Sequence, residues 1–286
     1  MPQKPLPIII LITSLTLPGV ALANGMATQD SILRANNEIG LAVTGTLMNY
    51  QEHITQFNGQ TDIESGWMPG FQVKYSLMGD YFSSLPNLYF AVNYDYSNGN
   101  LHYQGFLLSP GTPPSQTTDS AVTNRVLARL GMGFPLAQSW MLTPYLAGGY
   151  QNWDRSLQGP YGYKEKYSAG LMGAGLMLQY APTQQLVLSA NAQGFAVIGG
   201  GMTPSGNILQ DNLGTASFGT SGEERVSLDA DYRLNGSWHV YGGLNFTHFN
   251  YTGGPLNSPL AQLLGAAEPP SSTNLFGMQL GVAYGF

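Results

Sequence analysis

Phe276-Gly277-Met278-Gln279-Leu280-Gly281-Val282-Ala283-Tyr284-Gly285-Phe286 is the stretch that decides the fold. Every second residue is apolar or aromatic, and those between are Gly, Gln or Ala. Successive side chains of a strand point to opposite faces, so this stretch has one greasy face and one small or polar face. A tilted strand of about 9–11 residues crosses the hydrocarbon of a bilayer, and this one can do so with its greasy face in lipid.

Working back along the chain, nine further segments repeat the period of two. The first runs near Glu38 to Tyr50, with Ile39, Leu41, Val43 and Leu47 outward, and the second near Trp67 to Met78, with Phe71, Val73, Tyr75 and Leu77 outward. The third carries Leu88, Phe90, Val92 and Tyr94; the fourth, about Val122 to Phe134, carries Val126, Ala128, Leu130 and Met132. The fifth, about Trp140 to Tyr150, contains Pro144, where a bulge is expected because proline donates no ladder bond. The sixth and seventh cover about Tyr167 to Tyr180 and Gln185 to Ile198, the eighth Arg225 to Leu234, and the ninth Trp238 to about Phe249.

The links alternate in length. Short ones such as Ala181-Pro182-Thr183 and Asn235-Gly236 alternate with polar ones at about Gln51–Gly66, Ser97–Ser120, Gln151–Lys166, Gly199–Glu223 and Thr252–Ser272. Short turns on one side and long loops on the other mark a transmembrane antiparallel up-and-down β-barrel. The fold class is therefore all-β, with ten strands expected and eight as the alternative count. A secreted β-sandwich would have to bury these apolar faces against a second sheet and gives no reason for the alternation.

Composition agrees. Charged residues are 9% of the 286, against about 25% in soluble domains, yet the mean hydropathy is only −0.07. With no cysteine there is no disulfide, zinc–thiolate site or cysteine nucleophile. The net charge of −6 does not suit a nucleic-acid partner. Lys4, the apolar run Leu6 to Leu17 and the small-residue site Ala21-Leu22-Ala23 predict a signal peptide over residues 1–23. A short periplasmic segment, 24–35, and the barrel, 36–286, are expected to follow, the mature chain residing in the outer membrane of a Gram-negative cell.

The final strand, with Phe276, Leu280, Val282, Tyr284 and the terminal Phe286, resembles the assembly signal of bacterial outer-membrane barrels. The resemblance implies recognition by the barrel-assembly machinery. Thr143-Pro144-Tyr145-Leu146-Ala147-Gly148-Gly149-Tyr150 resembles strand sequences of the opacity-like small-barrel families, which implies a surface-interaction role.

Catalytic constellations are sparse. Ten strands is also the count of the omptin proteases, which resemble this chain in architecture; the resemblance implies two aspartates facing an Asp–His couple, holding a water between them. Asp95, His102 and Asp119 near the second link form no adjacent pair, and the fourth link has Asp211 but no histidine. Lipid-modifying barrel enzymes need a Ser–His–acid set; His53 and His102 fall in expected loops, His239 at a strand end, and His248 is the one candidate for test. No catalytic, cofactor or metal residue is assigned.

Parity places Glu38, Lys74, Asp95, Arg125, Arg129, Asp229, Asp231 and Arg233 in the lumen, where buried charges must pair. A lumen charge network is expected, with Asp229 and Asp231 as the preferred acidic partners of Arg129 and the individual pairs left open. Lys164-Glu165-Lys166 reads as a strand-end cluster near a loop. Aromatic girdles are expected at Phe134, Trp140, Tyr180, Tyr232, Trp238 and Phe286 on the turn side, and at Tyr94, Tyr96, Tyr150, Trp153, Tyr161 and Tyr163 on the loop side. The expected function is a structural or surface contact made through five loops by a monomer in contact with outer-membrane lipid. A host or extracellular ligand is its expected partner, a narrow pore for small solutes the alternative, and an envelope enzyme a third reading.

Overall fold

The structure is a computed structural model that describes residues 29–53, 61–105, 115–159 and 162–286. The expected leader and Tyr161 lie outside the described residues, as do parts of the first three expected loops. Among the described residues ten long antiparallel strands close into a barrel. They are β1 (Glu38–Glu52), β2 (Ile63–Gly79), β3 (Leu88–Gly105), β4 (Ser115–Met132), β5 (Trp140–Leu157), β6 (Lys164–Tyr180), β7 (Leu186–Ser205), β8 (Ser221–Arg233), β9 (Trp238–Tyr251) and β10 (Ser271–Gly285). Each pairs with its sequence neighbours, and β1 pairs with β10 from Glu38↔Gly285 to Glu52↔Ser271, which closes the cylinder. No described helix is long and apolar enough to cross a membrane.

Near the turn end the strands have apolar exteriors. Leu41, Val43, Leu130, Leu146, Met172, Leu228, Leu244 and Leu280 are all exposed, and such a band is stable only against lipid. At the turn-end rim Trp140 stacks on Tyr180 with centroids 4.4 Å apart, and Trp238 meets Tyr284 edge-on at 5.3 Å.

The strands run on past the lipid band. Those of 17–20 residues exceed the roughly 9–11 that a crossing needs. The expected long loops therefore shrink: the links are 53–62, 106–114, 158–163, 206–220 and 252–270. In the extension the alternation inverts. On β3, Asn98, Asn100 and His102 face out while Leu101 and Tyr103 are buried inside. On β5, Asn152, Asp154 and Ser156 face out over buried Trp153, Arg155 and Leu157. Water rather than lipid lies outside, so the apolar side chains turn inward as in a soluble barrel.

Two expectations need correction. Pro144 makes no bulge; the ladder simply lapses opposite it, between Gly131↔Tyr145 and Phe134↔Leu142, and the register holds. The register shifts instead at Pro135/Ala137, in the turn before β5, and in β7 opposite Ser168/Gly170, where Gly199 has a φ of 59°. Trp153 belongs to no girdle. It is 4% exposed inside the barrel, between the rings of Tyr50 and Tyr167, each 5.0 Å away.

A short helix, α1 (Gln29–Ala35), enters the turn-end mouth. Ile32 is fully buried, Ser31 Oγ donates to the Gln184 carbonyl at 3.3 Å, and Asn36 Nδ2 donates to Gln179 Oε1 at 2.8 Å. At the other end a second short helix, α2 (Pro259–Leu264), is capped by Ser258, whose Oγ accepts from Ala261 N, and ends at Gly265 with φ 65°. The links holding these residues clasp each other: Ser258 N donates to Leu213 O at 3.3 Å and Thr215 N to Asn257 Oδ1 at 3.0 Å.

Candidate functional site

The candidate site is the lumen, which is filled in three tiers. Nearest the turns, Lys74 Nζ lies 2.5 Å from Glu38 Oε1 and 3.3 Å from the centroid of Tyr241. His239 Nδ1 is 2.6 Å from Asp231 Oδ1 and 3.7 Å from Glu38 Oε2. Asp229 accepts from Ser227 Oγ at 2.8 Å and from Gln279 Nε2 at 3.0 Å. A cavity of about 140 Å³ lies among Glu38, Lys74, Asp229, Asp231 and Tyr241.

The middle tier holds three arginines. Arg125 pairs with Glu223, which is 1% exposed. Arg129 Nη1 donates to Asn93 Oδ1 at 2.8 Å, so its partner is neither Asp229 nor Asp231. Asp95 accepts from Gln72 Nε2 at 2.7 Å. Arg225 makes no ion pair or side-chain hydrogen bond among the described residues and separates the lower cavity from a second one of about 100 Å³. Arg233 lies at the end of β8, and Asp231 on the same strand is held by His239.

The loop-end tier was missed in the sequence, because its residues fell in expected loops. Arg155 is 1% exposed and central. Its Nε donates to Glu64 Oε1 at 2.5 Å, its Nη1 lies 2.5 Å from Glu165 Oε2 and 3.7 Å from Glu52 Oε1, and the rings of Tyr50 and Tyr103 flank it at 5.5 and 5.4 Å. Asp119 and Glu268 are also buried, and Tyr167 Oη lies 3.0 Å from Glu165 Oε2 and 2.6 Å from Glu268 Oε1, bridging the two carboxylates. One cation thus serves several buried carboxylates. At the end of β1, outside the lipid band, burial is the main cause that raises Glu52 from an ordinary 4.5 to about 8. In the last loop, burial and then Glu165 push Glu268 well above the carboxylate range.

Among the described residues no loop-end histidine is hydrogen-bonded or ion-paired to an acid. His248 faces outward from β9, with Nδ1 2.9 Å from Asn274 Oδ1 and Nε2 3.3 Å from Asn250 Nδ2. The clearest signal for the missed tier was parity: Arg155 has the same parity on β5 as Met141, Tyr145 and Gln151, all of which are buried.

Two measurements follow from the loop-end tier. Arg155→Met leaves the carboxylates without their cation, and breaking a buried pair costs about 3–5 kcal/mol. The variant is expected to expose the loop-end strands to protease while the lipid-embedded half stays folded; wild-type resistance would contradict this. Glu52 takes up a proton on folding because its folded pKa is raised. That stabilisation is full below about pH 4.5 and is lost as pH rises through about 8. Hydrogen exchange of the loop-end strands, corrected for intrinsic rates, should be faster at about pH 9 than at about pH 6.

No protein-family model matches the chain, and no curated protein matches it. Among solved structures, the outer membrane protease OmpT from Escherichia coli is 10% identical, covering 88% of this chain and 97% of its own, with a TM-score of 0.56. The toluene transporter TodX from Pseudomonas putida is 11% identical over 90% of this chain and 91% of its own, with a TM-score of 0.37. The attachment invasion locus protein Ail of Yersinia pestis is 12% identical over 88% and 99%, with a TM-score of 0.34. The chain has the fold of an outer-membrane β-barrel.

Proposed function

We propose that this chain is a surface-contact protein of the outer membrane, a monomeric closed barrel that carries its loops outward on a rigid extension. The observation that carries the reading is where the apolar side chains lie beyond the lipid band. Most are packed inside, but Ile208 and Leu263 stand 86% and 83% exposed in the two clasped loops, with Leu209 and Leu264 beside them. Apolar groups held in water on a rigid mount suit contact with a partner surface. The opacity-like resemblance of the fifth strand points the same way, and a host or extracellular ligand is the partner this reading favours.

The narrow pore is the second reading, favoured by the two lumen cavities on either side of Arg225. Conductance and adhesion separate the two. The purified barrel is expected to show no steady conductance in planar bilayers, and Ile208→Asp with Leu263→Asp should reduce attachment of expressing cells without lowering barrel stability. A steady current together with unchanged attachment would move the assignment to the pore. Among the described residues the hydrogen-bond partners of His248 are Asn274 and Asn250, which do not make the omptin couple, and we assign no catalytic role.

The outward residues Phe276, Leu280, Val282 and Tyr284 on β10, with Phe286 just after it, also support recognition by the assembly machinery during biogenesis. Phe286 stacks on Tyr75 at 5.9 Å and its backbone N donates to Asn37 O at 3.1 Å. Deleting Phe286 is expected to leave export intact and to reduce the folded, heat-modifiable band in outer membranes. An undiminished band would remove this residue from the signal.

A further inference from the structure

Glu38, Asp231 and His239 come from three different strands, β1, β8 and β9, and meet across the turn end of the lumen. One ligand atom from each lies within 4.8 Å of the other two, the one such group among the described residues. The histidine was read from sequence as a strand-boundary residue, but it is 3% exposed and presents Nδ1 to both carboxylates.

A second, independent observation concerns the oxygens. Glu38 is 1% exposed, and its Oε2, which faces His239 at 3.7 Å, has no hydrogen-bond partner. Asp231 Oδ2 and Tyr241 Oη are likewise buried without partners. Buried acceptors left unpaired are costly, and the free oxygens of Glu38 and Asp231 belong to the two carboxylates that face the imidazole, where a positive centre would satisfy them. Lys74 does not fill it, because its ammonium is on the other oxygen, Glu38 Oε1.

Charge supports the same occupant. Around the lower cavity Glu38, Asp95, Asp229 and Asp231 supply four negative charges against three positive ones from Lys74, Arg129 and Arg225, and Asp229 meets only the neutral donors Ser227 and Gln279, so a net negative charge faces the site. We propose that Glu38, Asp231 and His239 form a binding site for one first-row divalent cation of the zinc class. One imidazole nitrogen with two carboxylate oxygens suits zinc. Bonds of about 2.0–2.2 Å at tetrahedral angles place ligand atoms roughly 3.4 Å apart, so the His239–Asp231 contact opens slightly and the other spacings adjust. The cavity of about 140 Å³ beside Glu38 and Asp231 supplies water for the fourth position. The ion would tie three strands together at the turn-end mouth.

The test uses the untagged, folded barrel, stripped with chelator and titrated with zinc chloride by calorimetry, with magnesium chloride as the control ion. Expected are one saturable equivalent of zinc, no comparable binding of magnesium and a higher temperature for conversion of the folded gel band. His239→Gln and Asp231→Asn should each weaken binding about tenfold or more, while His248→Gln leaves it unchanged. If either variant fails to fold, nitrogen NMR of the histidine-labelled wild type decides, because zinc should shift the Nδ1 resonance of His239. No saturable zinc binding in the wild type overturns the proposal and leaves a proton shared by His239 and Asp231 as the occupant. A shift on His53, His102 or His248 instead also overturns it.

Discussion

Lipid offers no hydrogen bonds, so every backbone N–H and C=O that crosses it must find a partner within the protein, and an open sheet edge cannot. The pairing of β1 with β10, unbroken over both strands, meets that demand by leaving no edge. Much else depends on it. Closure fixes which side of each strand is inside, and inside a narrow barrel whatever points inward must pack against whatever points inward from across the axis. The ion pairs of Arg125 on β4 with Glu223 on β8, and of Arg155 on β5 with Glu64 on β2, are between residues brought together in this way.

The same cylinder passes through two solvents. Within the lipid band leucine and valine face out, and lysine, arginine, asparagine and aspartate face in. Beyond it, asparagine, serine and histidine face out, and tyrosine, tryptophan and phenylalanine face in. The backbone ladder is indifferent to the change, and only the sorting of side chains reverses. Arg155 sits in the second region, enclosed by tyrosine rings and carboxylates, where low polarity strengthens each contact and raises the cost of leaving any charge unpaired.

How much of this was legible depended on the solvent. The ten strands, their outward residues and the closed barrel could be read because lipid demands an apolar face, and β10 shows that face without interruption. The extensions of β3, β5 and β7 could not be read by the same rule, since outward asparagines and serines look like loop sequence. Trp153 was misplaced for this reason, although its parity with Met141 and Tyr145 already put it inside. The inward direction of Glu38, Lys74, Asp229 and Asp231 was legible, but the pairings among them were not. Arg129 found Asn93 rather than an aspartate because cross-lumen distances depend on how the strands tilt and stagger as the barrel closes.

The reversal of side-chain sorting also divides the thermodynamics of the molecule. The outer half buries tyrosine, tryptophan and leucine away from water, so its unfolding carries a large positive heat-capacity change and its stability curves with temperature. The lipid-embedded half hides its leucines in hydrocarbon whether or not the side chains are packed, so that term is weak there, and hydrogen bonding and packing carry the stability instead. Cooling loosens one half more than the other, and urea acts mainly on the half that water already touches. A single chain with one continuous sheet thus holds two regions whose stabilities rest on different terms and answer to different conditions.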